Sequence, residues 1–199
     1  MYKKQLLAQK VLCMVALILC AAVFLYSLGI MTDLYDLIRG KNNIGVEADP
    51  YYTTVAGSWV YYEMQPFNRS FTAYSIGMLL LAVFLFITNT HSRRKYYFGN
   101  YLATGLFTVA GAAFTVWCHQ NIEFYKAEFL KMDFAALKAV ADKMKGYYTE
   151  STALFDLHYF IFGAFVIILI ALIVNVIVKV RLMKAEDRLI AEGKEAAHV

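Results

Sequence analysis

The sequence predicts an all-α integral membrane protein of four transmembrane helices carrying a structured extracytoplasmic cap. Three observations predict it. Hydrophobic residues make up 60% of the 199 residues and charged ones only 17%, with a mean hydropathy of +0.52. A water-soluble domain of this size would have to expose the apolar excess on its surface. Four stretches lack Asp, Glu, Lys and Arg for about 20 residues or more, enough to cross roughly 30 Å of hydrocarbon as helices. Finally, basic residues gather in the short flanks of these stretches and acids in the first long connection, the asymmetry that fixes orientation.

The first span, 11–32, follows Lys3, Lys4 and Lys10. Its uncharged run exceeds the roughly 7–15 apolar residues of a secretory signal. The residues after it, Thr32-Asp33-Leu34-Tyr35, do not resemble a small-residue cleavage site, so it is read as a retained anchor. Cys13 and Cys20 here, like Cys118 in the third span, fall in apolar surroundings. They read as small buried hydrophobes and not as a disulfide or zinc framework.

The first outer segment, 33–69, is too long for a simple connection and should have structure of its own. It opens as a short helix over 32–40, followed by the polar turn Lys41-Asn42-Asn43. Between Pro50 and Pro66, residues 51–55 and 58–64 are rich in aromatic and β-branched side chains, which predicts two short β pieces bent at Gly57. Tyr51, Tyr52, Trp59, Tyr61, Tyr62 and Phe67 concentrate aromatic rings at this face. An interfacial belt explains them, and so does a partner-binding surface; on the second reading they are the candidate partner-binding residues. Asn68-Arg69-Ser70 is formally a glycosylation sequon, read here as chance because it abuts the membrane.

The second and third spans, 70–92 and 96–122, are joined by the basic link His91-Ser92-Arg93-Arg94-Lys95. Asn100, Thr104, Thr108, Gly111, Thr115 and His119 recur at steps of four and three, which places them on one helix face. Small and hydroxylated residues in that pattern make a helix-packing stripe, or alternatively the lining of a polar path.

The second outer segment, 123–150, has the apolar stripe Leu130, Phe134, Leu137, Ala141 and Met144, with charged residues opposite and Gly146 as a stop. A helix continued straight from the third span could not return to the fourth through so short a connection. A bend near 120–124, or a fourth span projecting outward, is therefore predicted. The stripe should then pack on the 51–64 region.

The fourth span, 157–178, leads into a tail, 179–199, whose mixed charges suit a solvated helix. The placement of Lys and Arg puts both termini and the 91–95 link in the cytoplasm of a plasma-membrane protein. The net charge of +4 serves this topology and gives no reason to expect nucleic acid.

Ionisable groups inside the spans are scarce. His119 ends the third span and His158 begins the fourth; a facing pair can hold a haem or a metal inside a bundle. A single pair at the membrane edge more often makes ordinary hydrogen bonds, so neither metal nor cofactor is expected. Asn175 reads as an interhelical hydrogen-bonding residue. The sequence contains no nucleophile elbow, Walker loop, His-Glu-x-x-His or Cys-x-x-Cys, and no enzyme is predicted. The layout resembles that of tetraspan proteins such as claudins in its four spans, inside termini and large Trp-bearing first loop. Segment 33–69 has no cysteine and no Gly-Leu-Trp motif, so paracellular function is not carried over. The function expected is a non-catalytic accessory or scaffold subunit of a larger membrane complex, in contact with lipid and with other membrane proteins or itself. The alternatives are a small transporter or channel acting as a homo-oligomer and, behind it, a membrane redox enzyme using the two histidines.

Overall fold

A computed structural model of the protein describes residues 2–39, 55–58, 60–90, 97–144 and 149–196. They form five helices: α1 (Tyr2–Arg39), α2 (Val60–Thr90), α3 (Tyr97–Phe129), α4 (Phe134–Met144) and α5 (Ala153–Ala196). Four are long and apolar enough to cross a membrane, over Lys4–Ile30, Glu63–Asn89, Phe98–Phe129 and Ala153–Glu192. The helices outrun the charge-free spans. The 44 residues of α5 make a rod about 66 Å long at 1.5 Å per residue, roughly twice the hydrocarbon thickness.

Each long helix packs on two neighbours, in the ring α1–α2–α3–α5, and every adjacent pair is antiparallel. Between α1 and α2, Tyr26 meets Phe71 and Gln9 meets Asn89. Between α3 and α5, His119 meets His158 while Phe107 meets Phe165. The bundle is thus up-down-up-down, with the ends of α1 and α5 that carry the chain termini at one side and α4 at the other.

Aromatic rings fill its centre. Phe71 of α2 lies within 5.9 Å, ring centre to ring centre, of Tyr26 and of Phe114, and 6.4 Å from Phe162. One ring from each long helix therefore converges at the same level. On α1, Cys13, Ala16, Cys20 and Val23 are all buried and recur at steps of three and four. This narrow face of small residues lets α1 approach its neighbours closely. The three cysteines are unpaired and buried.

Three segments differ from the sequence expectation. Residues 32–39, expected as a short helix of their own, continue α1 without a break. No strand occurs among the described residues, and 60–64, predicted as an extended piece, is the first turn of α2. A short aromatic and β-branched run fits either a strand or a buried helix, and Val60 and Met64 are buried against the core. Pro66 lies inside α2, where its ring denies the carbonyl of residue 62 a helical donor. The Tyr125 hydroxyl donates to the adjacent Glu63 carbonyl at 2.9 Å, tying this loosened turn to α3. Residues 51–54 lie outside the described residues.

The last helix, α5, begins at Ala153, ahead of the 157–178 run, and the chain does not bend back near 120–124, the other route expected. It continues as α3 to Phe129 and breaks over 130–133, where Met132 N donates to Phe129 O and Phe134 N to Met132 O. Asp133 caps the new helix, its carboxylate accepting from Ala136 N at 2.9 Å. Leu130 consequently leaves the predicted stripe and is 55% exposed, whereas Leu137 and Ala141 are buried. The turn over 130–133 rests on the other connection. Asp133 N donates to Ala56 O at 3.0 Å. Gly57, at φ +84°, lies so close to Met132 that a Cβ there would be 2.8 Å from its Cα. Only glycine satisfies both the left-handed backbone and the approach.

Candidate functional site

Polar side chains gather at the two ends of the bundle. At the α4 end, His119, Glu123 and Lys126 share a face of α3 at steps of four and three. Opposite them stand Thr152, Asp156, His158 and Tyr159, in and just before the first turns of α5. His119 Nδ1 and His158 Nε2 are 2.9 Å apart, and His158 Nδ1 is 2.5 Å from Phe155 O. A carbonyl only accepts, so His158 carries a proton on Nδ1. Its Nε2 is then the acceptor in the neutral ring, and His119 must donate from Nδ1. The order of donors is fixed by the backbone. His158 is buried, at 1% exposure, while His119 is exposed.

The charges around this pair are matched. Glu123 Oε1 lies 3.7 Å from His158 Nε2 and accepts from the Tyr159 hydroxyl at 2.7 Å. Lys126 is paired with Asp156 and sits 5.6 Å from the centre of the Tyr159 ring. Thr152 donates to the second Asp156 oxygen at 2.7 Å. Beyond the 96–122 and 157–178 spans, the Lys126 and Thr152 hydrogen bonds hold the Asp156 carboxyl below its ordinary value. The reciprocal bond raises Lys126. Tyr26 of α1 completes the cluster, donating to Leu154 O at 2.8 Å and reaching Phe155 O at 3.4 Å.

At the opposite end lies a carboxamide network that the sequence reading found only in part. Gln5 Nε2 donates to Gln9 Oε1 at 3.1 Å and to Asn175 Oδ1 at 3.2 Å. Gln9 Nε2 donates to both the backbone and side-chain oxygens of Asn89, at 3.0 and 2.9 Å. All four residues are buried, and Lys179 of α5 is buried beside the same level at 4% exposure. Of the four, Asn175 is the one whose interhelical bond the sequence predicts. Gln5 and Gln9 are one turn apart on the face that continues through Cys13, Ala16 and Cys20, and that spacing was the available signal.

A third feature faces outward. Between α2 and α3 runs a groove of about 530 Å³ lined by Ala73, Tyr74, Gly77, Met78, Leu81, Ala110, Ala113, Phe114 and Trp117. Its floor is made of small residues, and a Cβ on Gly77 would meet nothing within 4 Å.

The predicted stripe on α3 is distributed over these surroundings. Asn100 and Thr104 are buried, Gly111 packs against Phe165 and Leu169 of α5, and Thr115 donates to Gly111 O at 2.8 Å. The Thr108 hydroxyl is buried with no hydrogen-bond partner among the described residues. Of the aromatic candidates, Tyr51, Tyr52 and Trp59 lie outside the described residues, and Tyr61 and Tyr62 fall in the first turn of α2. Phe67 belongs to the interior: it is 5% exposed, stacks on Phe71 and touches Trp117 and Tyr125. Asn68, the sequon residue, is likewise buried. Among the described residues no group of three or more His, Cys, Asp or Glu side chains is arranged to hold a metal. The rings of His119 and His158 meet nitrogen to nitrogen. Comparison with protein-family models, with curated proteins and with solved structures gave no match to this chain.

Proposed function

We propose that the protein is a non-catalytic accessory or scaffold subunit of a larger complex in the plasma membrane, with both termini cytoplasmic and the α4 end outside. The observation that carries this reading is the α2–α3 groove. In lipid, helices associate through close packing and not through the hydrophobic effect, so a floor of Ala73, Gly77, Ala110 and Ala113 favours approach of a further helix backbone. The rings of Tyr74, Phe114 and Trp117 form the walls and supply rigid contact area. The polar side chains of the bundle support the same reading, because the two clusters spend their hydrogen bonds chiefly on one another. On this view the outer aromatic residues 51–62 add a second contact with the partner's extracytoplasmic part.

Filling the groove tests the reading. Gly77→Leu together with Ala113→Leu should release the co-purifying membrane protein while leaving the bundle's own thermal stability unchanged, since both residues point away from the core. Mild-detergent purification with mass determination reads the result. A parent that purifies as a homo-oligomer with no other chain would move the assignment to a self-assembling transporter or channel.

A further inference from the structure

We propose that His119 and His158 form a one-proton site: two imidazoles that together accept a single proton from the water on the α4 side. The inference stands on the geometry of the pair and is independent of the accessory-subunit reading. In the neutral pair every polar hydrogen between the rings is assigned. Phe155 O fixes the His158 proton on Nδ1, so the 2.9 Å contact is a donation from His119 Nδ1 to His158 Nε2. The remaining nitrogen, His119 Nε2, belongs to the exposed ring and is the acceptor through which a proton enters.

One added proton is accommodated without loss of a bond. It settles on His119 Nε2, and the hydrogen between the rings then bonds either nitrogen, making a charge-assisted N–H···N contact in which the rings share one positive charge. A second proton has no place. It would set two N–H groups head to head across 2.9 Å, with both rings cationic and one of them buried at 1% exposure.

The surroundings match one charge. From α3, Glu123 approaches His158 Nε2 to 3.7 Å, while Lys126 is neutralised by Asp156 of α5. From α5, Tyr159 donates to Glu123. From α1, Tyr26 donates to Leu154 O and Phe155 O, so the carbonyl that orients His158 is shared with a third helix. From α2, Phe71 meets Phe162, which in turn meets the His158 ring; Glu63 of α2 is engaged with Tyr125, whose hydroxyl donates to its carbonyl. From the α4 side, Phe129 and Phe155 are in ring contact and add no charge. Glu123 is thus the carboxylate that faces the pair and balances the proton it takes up.

Ring nitrogen NMR on the full-length chain, labelled at histidine and held in micelles, counts the protons directly. The pH is moved from about 8 to about 4.5, either side of the ordinary imidazole value near 6.5. The parent should take up one proton across the two rings. His119→Gln should also take up one, all of it on His158, because the carboxamide can turn its oxygen toward Nε2. Removing a histidine therefore leaves the count unchanged. Glu123→Gln should keep the count at one, because the hydrogen bonds that assign the ring protons do not involve it. Two full protons in the parent would overturn the proposal, as would none, or stoichiometric zinc bound between the rings in the purified protein.

Discussion

Asp156 shows how a single residue can be assigned an energetic role with a definite sign. Its carboxylate accepts from Lys126 and from Thr152, and these contacts favour the charged form, so folding lowers its pKa. A group lowered on folding stabilises the protein above its unfolded value, near 3.9, and loses that contribution as the pH falls through the lower folded value. Asp156→Asn should therefore lower the thermal midpoint at neutral pH. The difference from the parent should hold down to about pH 4 and vanish in stronger acid, and it should shrink with added salt because the pair is partly exposed. Paired melts across that pH range check it; a difference that grows in acid would show the sign to be wrong. This pair was invisible in the sequence. Lys126 and Asp156 stand 30 positions apart, and nothing local marks them as partners. The histidines were legible as neighbours because each sits at the end of a span, but the carbonyl of Phe155 that orders their protons is a backbone atom with no sequence signature.

At the scale of elements, charge-free runs located the four long apolar helices, as expected where a helix faces hydrocarbon, which excludes charge. They gave the ends less well. Past a charge-free run, water no longer forbids charge and a helix can continue on local propensity without neighbours, as α5 does to Ala196 with 184–192 exposed throughout. The same limit explains 60–64, whose composition fits both strand and helix until burial decides. The 130–133 break was marked by Asp133, a good cap standing just before Phe134, yet the apolar period ran through it undisturbed and hid it. The seam of α3 is a close contact between two long helices. A Cβ on Gly111 would lie 3.0 Å from Phe165 Cε1 and 3.1 Å from Leu169 Cδ2, so these side chains already touch the bare backbone. Gly111→Leu should cost ~3 kcal/mol, the upper part of the usual range for overfilling a packed site. Unfolding titrations in mixed micelles would measure it, and an unchanged midpoint would remove the seam from the account of stability.

For the molecule as a whole, the antiparallel ring places Tyr2 and Ala196 at the same end, so the proposed orientation can be read at either terminus. Reporters fused at the two ends should both give cytoplasmic signals, and a reporter inserted in 145–148 should give the opposite one. Discordant signals from the termini would contradict the four-crossing arrangement itself. The contact between the 55–58 and 130–133 turns has a bearing on how such an arrangement is reached. The carbonyl of Ala56 and the amide of Asp133 are separated in the chain by the whole of α2 and α3, so the earlier turn finds its partner only after the third helix is in place. The two meet only if that helix has been delivered in the correct direction. Inserted upside down, it would leave Met132 about 30 Å away across the bilayer from Gly57. The meeting of Gly57 with Met132 is thus a contact that exists only when α2 and α3 lie antiparallel, with both turns at one end of the bundle.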